Sequence, residues 1–360
     1  MVTVNGEMKN ADYHQNQGHT QLYPPSWVDR LSAWIARFPG PSWSYYLGFG
    51  LVLFFLLTVV MWIEGASSVG TILPIHFFLS GVIAFFLAMF YYLDKWAGAA
   101  MTMIRKDLTA DEKKYQELYY QLTTLPRGKT IIASLVILAL NFLGEAIGDP
   151  YYYQALNDFP VSAYFLRIIY LICFWIFGAF MYHTIHQLSL IHIIYTNHTH
   201  IHLFRTKPFY AFSNLSAFTA GSLVMIIYGF LLVNPSIPWD DPIVMVWVVI
   251  FIVSALVTFV WPQLGMHRLQ VAEQERLLDE AYLRLESTIS ELHQQLDDDE
   301  LERMEELNFA IASLEMEINA LKKIRTWPWE PETLQLLITA LALPLGLWIF
   351  QLIFERILGP

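Results

Sequence analysis

The chain has 360 residues, 56% of them apolar and 15% charged, with a mean hydropathy of +0.42. Soluble domains carry roughly a quarter charged residues; here long charge-free runs alternate with charge-dense ones, which predicts an all-α polytopic membrane protein instead of a soluble domain. A net charge of -11 argues against nucleic acid as a partner, and the single Cys173 excludes an internal disulfide framework and a thiolate metal cage.

In chain order, residues 1–25 read as a polar tail with no cleavable signal. Residues 26–40 read as an interfacial helix, with Trp27, Leu31, Trp34, Ile35 and Phe38 at helical spacing. Residues 41–264 hold six apolar runs near the roughly 20 residues a spanning helix needs: 44–63, 72–93, 130–148, 161–194, 210–233 and 243–264. Between the second and third, Leu108-Thr-Ala-Asp-Glu predicts a helix start with Thr109 as N-cap, and Pro126-Arg-Gly its end.

Residues 265–326 change from continuous to heptad apolar spacing. Leu278, Tyr282, Leu285, Ile289, Leu292 and Leu296 recur at alternating steps of four and three, and Met304, Leu307, Ile311, Leu314, Ile318 and Leu321 repeat the pattern. The acidic run Asp297-Asp-Asp-Glu separates them, which predicts an antiparallel coiled-coil hairpin. Half of all acidic residues fall between Met266 and Glu330. A two-helix hairpin buries little area alone, so Leu278, Leu285, Leu292, Ile311, Leu314 and Ile318 are candidates for assembly with further copies. Trp327-Pro-Trp-Glu-Pro331 ends the hairpin, and residues 327–360 hold a seventh apolar run at 333–354 and the carboxyl terminus.

Lys and Arg are absent from 64–71, 149–160 and 234–242 and concentrated in the alternate connections. The positive-inside rule then predicts a cytoplasmic amino terminus, a cytoplasmic hairpin and an external carboxyl terminus.

Chemistry-bearing residues are few. His183, His186 and His192 fall in the fourth run and His198, His200 and His202 follow it. Neutral imidazole ligates iron and zinc, so His183, His186, His198 and His202 define an alternative reading as a histidine-ligated membrane metalloenzyme. The competing reading is an interfacial, hydrogen-bonded set. Glu145 and Arg167 are placed to form a structural pair. No phosphate loop, nucleophile elbow or HExxH motif is present, so neither enzyme activity nor a cofactor is expected. In the last run Gln335, Ile338, Thr339 and Ala342, with Gly346, form a narrow, partly polar face that can line a pore; the competing reading is plain helix packing.

The whole layout, with a fourth run that is long, a sixth that extends far from the membrane and a seventh split into two limbs, resembles the insect odorant and gustatory receptor superfamily of seven-transmembrane ion channels. The resemblance implies a tetramer held by a cytoplasmic anchor, a cation pore lined by the last helix, a plasma-membrane location, and a ligand pocket in the outer half of the first six helices, where Tyr151, Tyr152, Tyr153 and Tyr164 supply aromatics. The chain departs from it in the last helix, where Gln351-Leu-Ile-Phe stands in place of the receptors' short signature. The expected partners are lipid, permeant ions and further copies of the chain. A third reading is a non-conducting sensor or scaffold that recruits a partner through the hairpin.

Overall fold

The computed structural model describes residues 22–147, 158–198, 207–233, 242–297 and 304–327, together with Trp329, Leu334, Gln335, Ile338, Thr339 and Ala342. Its helices are α1 (Trp27–Ile35), α2 (Ser42–Glu64), α3 (Pro74–Ile104), α4 (Glu112–Thr123), α5 (Arg127–Ile147), α6 (Pro160–His198), α7 (Lys207–Val233), α8 (Pro242–Asp297) and α9 (Met304–Lys323). Among the described residues the only β contact is an isolated bridge between Pro25 and Pro126. Six helices, α2, α3 and α5 to α8, are long and apolar enough to cross a bilayer, so the chain is a multi-pass membrane protein.

Two helices organise the rest. α3 packs against α1, α2, α4, α6 and α7, and α6 packs against α2, α3, α4, α5 and α8. On α3 the residues Ile83, Phe86, Phe90, Leu93, Ala97, Met101 and Ile104 are all buried, at the three- and four-residue steps of a single face. Phe180 of α6 completes this face, its ring 4.8 Å from Phe86 and edge-on to Phe90. At the other extreme α5 leaves Ile132, Leu135, Val136 and Leu143 more than half exposed, as a helix bordered by lipid does. It touches α6 at a very close approach: a Cβ at Gly178 would lie 2.7 Å from the Cα of Ser134, whose hydroxyl donates to the Trp175 carbonyl at 2.9 Å.

Several element ends differ from the sequence reading. α3 runs on to Ile104, well past Leu93, because nothing in Asp94-Lys95-Trp96-Ala97 breaks a helix. The N-cap of α4 is Asp111, not Thr109. The Asp111 carboxylate accepts from the Lys114 amide at 2.8 Å, whereas the Thr109 amide is taken by the His198 carbonyl. On α1 the buried residues are Val28 and Ile35, while Trp34 and Phe38 of the predicted face point outward.

α8 is one helix of 56 residues, continuing from its apolar part into the polar limb with Pro262 inside it. α9 lies antiparallel to that limb: Gln274 donates to the carbonyls of Leu321 and Ile324, and Ala281 packs with Ile318 and Leu321. The return toward the apolar layer is held by an aromatic stack, His267 on Trp327 at 3.8 Å, Trp327 on Trp329 at 4.3 Å and Trp329 on Phe259 at 5.3 Å.

Candidate functional site

Two histidines of α6 are hydrogen-bonded to neighbouring helices. His183, 1% exposed, shares a 2.8 Å hydrogen bond through Nε2 with the Asp94 carboxylate of α3, and its ring stands edge-on to Phe90. His186 Nε2 donates to the Gln121 carbonyl at 3.0 Å, and the neighbouring Gln187 amide donates to the Leu122 carbonyl. These carbonyls belong to the last turn of α4, where a helix leaves its final acceptors without backbone donors. Two side chains of α6 therefore cap α4. His192 packs on Gly265 of α8.

The same corner holds the amino-terminal segment. Ser26 and Asp29 form a capping box at the start of α1, and the Asp29 carboxylate also accepts from the Leu125 amide at 3.1 Å. Tyr23 donates to the Thr124 carbonyl and Tyr120 donates to the Tyr23 carbonyl. Burial, reinforced by the charge of Asp94, pushes the Asp29 carboxyl up to about 6, against the hydrogen bonds from Ser26 and Leu125 that favour its ionised form. Asp94 and Asp29 are thus the acidic groups of this corner, and the sequence reading missed both. The available signal was the Tyr91-Tyr92-Leu93-Asp94 run, whose acid sits one residue past an apolar stretch and looks like its end.

No metal cage is assembled among the described residues. His183 and His186 are turned to different partners, His198 ends α6, and His202 lies outside the described residues. The expected structural pair does form, with Arg167 and Glu145 at 2.9 Å. Of the aromatic pocket candidates, Tyr164 is 70% exposed on α6, and Tyr151, Tyr152 and Tyr153 lie outside the described residues.

Gln335, Ile338, Thr339 and Ala342 are helical and exposed, Ile338 at 55%, whereas Leu334 beside them packs on the core. Gly346 lies outside the described residues. Spacings of three, four and seven put the four described residues on one face, turned away from the rest of the chain.

In the polar limbs, Leu278, Leu285 and Ile318 lie in the seam between α8 and α9, with Leu292, Ile311 and Leu314 half-buried further along. Tyr282, Ile289 and Leu296, read from sequence as part of that seam, are exposed, and Ala281 is buried instead. The seam is rotated by about one residue from the apolar stripe. Comparisons with protein-family models, curated proteins and solved structures find no match.

Proposed function

We propose that the chain is one subunit of a homo-oligomeric ion channel in the plasma membrane. Its last helix lines a cation path, and the α8–α9 limbs assemble the subunits as a cytoplasmic coiled-coil anchor. Seven spans, a cytoplasmic amino terminus and an external carboxyl terminus belong to this reading, as does the stoichiometry of four, which follows the resemblance to the odorant and gustatory receptor superfamily. The observation that carries it is the uncovered face of Gln335, Ile338, Thr339 and Ala342. An amide and a hydroxyl turned toward hydrocarbon cost free energy unless hydrogen-bonded, and the same face of neighbouring copies, or water between them, supplies the partners. A ring of such faces is narrow and mostly apolar, a geometry that gates by dewetting.

The scarcity of charge in the spans also supports a passive path over a proton-coupled one, since Arg167 pairs with Glu145 and Asp94 with His183. Reconstitution tests the reading. Vesicles bearing the protein should pass monovalent cations faster than empty ones, and Gln335→Leu should lower the flux without changing the assembled mass. Flux equal to that of empty vesicles, from protein whose mass in the bilayer is that of an oligomer, overturns the channel and leaves a scaffold.

A further inference from the structure

The limbs carry apolar side chains that their own hairpin leaves uncovered. On α8, Tyr282, Ile289 and Leu296 are 43%, 36% and 45% exposed, seven residues apart, and Glu275 precedes them by another seven. On α9, Phe309 and Met316 are 67% and 66% exposed, also seven apart, with Lys323 following at the same step. The α9 row lies on the side opposite the buried Leu307, Ile318 and Leu321, and Ala312, Ser313, Asn319 and Ala320 fill it out without a charge. A helix with apolar faces on both sides is built to be flanked on both.

The register between the limbs decides what flanks it. The hydrogen bonds from Gln274 to the Leu321 and Ile324 carbonyls, together with the packing of Ala281 against Ile318 and Leu321, set the antiparallel alignment to within about one helical turn. Within that alignment Glu275 lies within a turn of the level of Lys323, Tyr282 of Met316, and Ile289 of Phe309. Within one chain the Phe309–Met316 row of α9 faces away from α8, while Tyr282 at the side of the seam has the Lys322 ammonium of α9 over its ring. Subunits related by rotation about the membrane normal, as the proposed oligomer requires, keep every residue at its own depth. The α8 row of one copy then meets the α9 row of the next with less than a turn of sliding: acid against base, Tyr282 against Met316, Ile289 against Phe309. Because one limb leaves the membrane and the other returns, this contact between copies is antiparallel, like the seam within each chain.

We infer that the hairpins join head to tail, the Glu275–Tyr282–Ile289 row of one copy docking on the Lys323–Met316–Phe309 row of its neighbour, so that the limbs close a ring. A contact between two α9 helices about a twofold axis along the membrane normal would instead set Lys323 against Lys323. Heterologous contacts of this kind generate closed rings when the rotation closes. The inference rests on the oligomeric reading above and names which faces make it.

Two tagged forms of the full chain, both Cys173→Ala, one carrying Ile289→Cys and the other Phe309→Cys, are co-expressed, placed in nanodiscs and mildly oxidised. The expected result is a disulfide joining the two tags, with little joining like to like; a chain carrying both cysteines gives a ladder ending at the ring size. Glu275→Lys or Lys323→Glu should each weaken assembly about fivefold per contact, and the double reversal should restore it, with unchanged helical circular dichroism serving as the folding check. Wild-type protein that is oligomeric by mass, with the two cysteine variants forming no mixed disulfide or mainly like-to-like ones, overturns this docking and leaves the oligomer standing, the face then belonging to a different partner. Wild-type protein that stays monomeric in the bilayer overturns both.

Discussion

The ring of His192 on α6 lies so close over Gly265 of α8 that a Cβ added to the glycine would stand 2.3 Å from Nδ1. Sequence placed this histidine in a run suggestive of ligands. In the fold it is a packing surface, and Gly265 is what lets the two helices come together where α8 leaves the apolar layer. Gly265→Ala should destabilise the protein by about 1–3 kcal/mol through overpacking. His192→Ala in the same chain should recover most of that loss, because the obstruction is a side chain. Thermal unfolding of the two single variants and the double variant in detergent gives the cycle; additive losses would show that the residues do not meet.

A harsher outcome is expected at Gly178. There the added Cβ meets backbone, the Ser134 Cα at 2.7 Å and the Ala133 carbonyl oxygen at 2.9 Å, so no rotamer change relieves it. Gly178→Ala should cost about 3 kcal/mol or more, and no single side-chain truncation on α5 should rescue it. A wild-type melting temperature for Gly178→Ala would refute the close approach of α5 and α6.

Asp94 and His183 should behave as a unit. Asp94→Ala leaves a buried imidazole without the acceptor it faces, and His183→Ala removes the carboxylate's partner; each costs about 1–3 kcal/mol. The double variant should lose less than the sum. A coupling energy of zero in that double-mutant cycle would mean that the 2.8 Å contact stabilises nothing.

Asp29 gives the strap over the α4–α5 junction a pH dependence. Its carboxyl is raised to about 6 from an ordinary value near 4, mainly by burial, so the folded corner holds its proton more tightly than the unfolded chain does. That contribution is fully present below the ordinary carboxylate range and is lost as pH rises through about 6. Hydrogen exchange at the amides of Ser26 and Leu125, corrected for intrinsic rates, should show more opening at pH 7 than at pH 5. Asp29→Asn should flatten the difference. Protection that instead increases with pH would mean that the charged form is the one held.

How much of this could be read from sequence depends on the kind of signal each feature leaves. The six spans of α2, α3 and α5 to α8 are legible because a bilayer tolerates so little charge that its crossings are written as uninterrupted apolar runs. Where helices outlast those runs the signal fails, and α3 carries Asp94 into the packed interior although Asp94 looks like an exit. Asp111 caps α4 in place of Thr109, whose amide instead donates to the His198 carbonyl, more than eighty residues away. In the hairpin the heptad was visible but its partner face was not. Leu278, Leu285 and Ile318 fall in the seam, while Ala281 is buried there and Tyr282 stands exposed beside it. The capping of α4 by His186 and Gln187 left no local trace at all, since neither residue neighbours α4 in sequence.

The unbroken course of α8 makes it a lever. From Pro262 to Asp297 the rod is about 50 Å long at 1.5 Å per residue, and proline has removed one hydrogen bond at its pivot. A tilt of roughly 5° in the apolar layer would carry the far end sideways by about 4 Å, nearly the pitch of one helical turn. Small movements among the spans are thereby magnified at the limb tips, and any force applied to the tips returns to the spans with the same mechanical advantage.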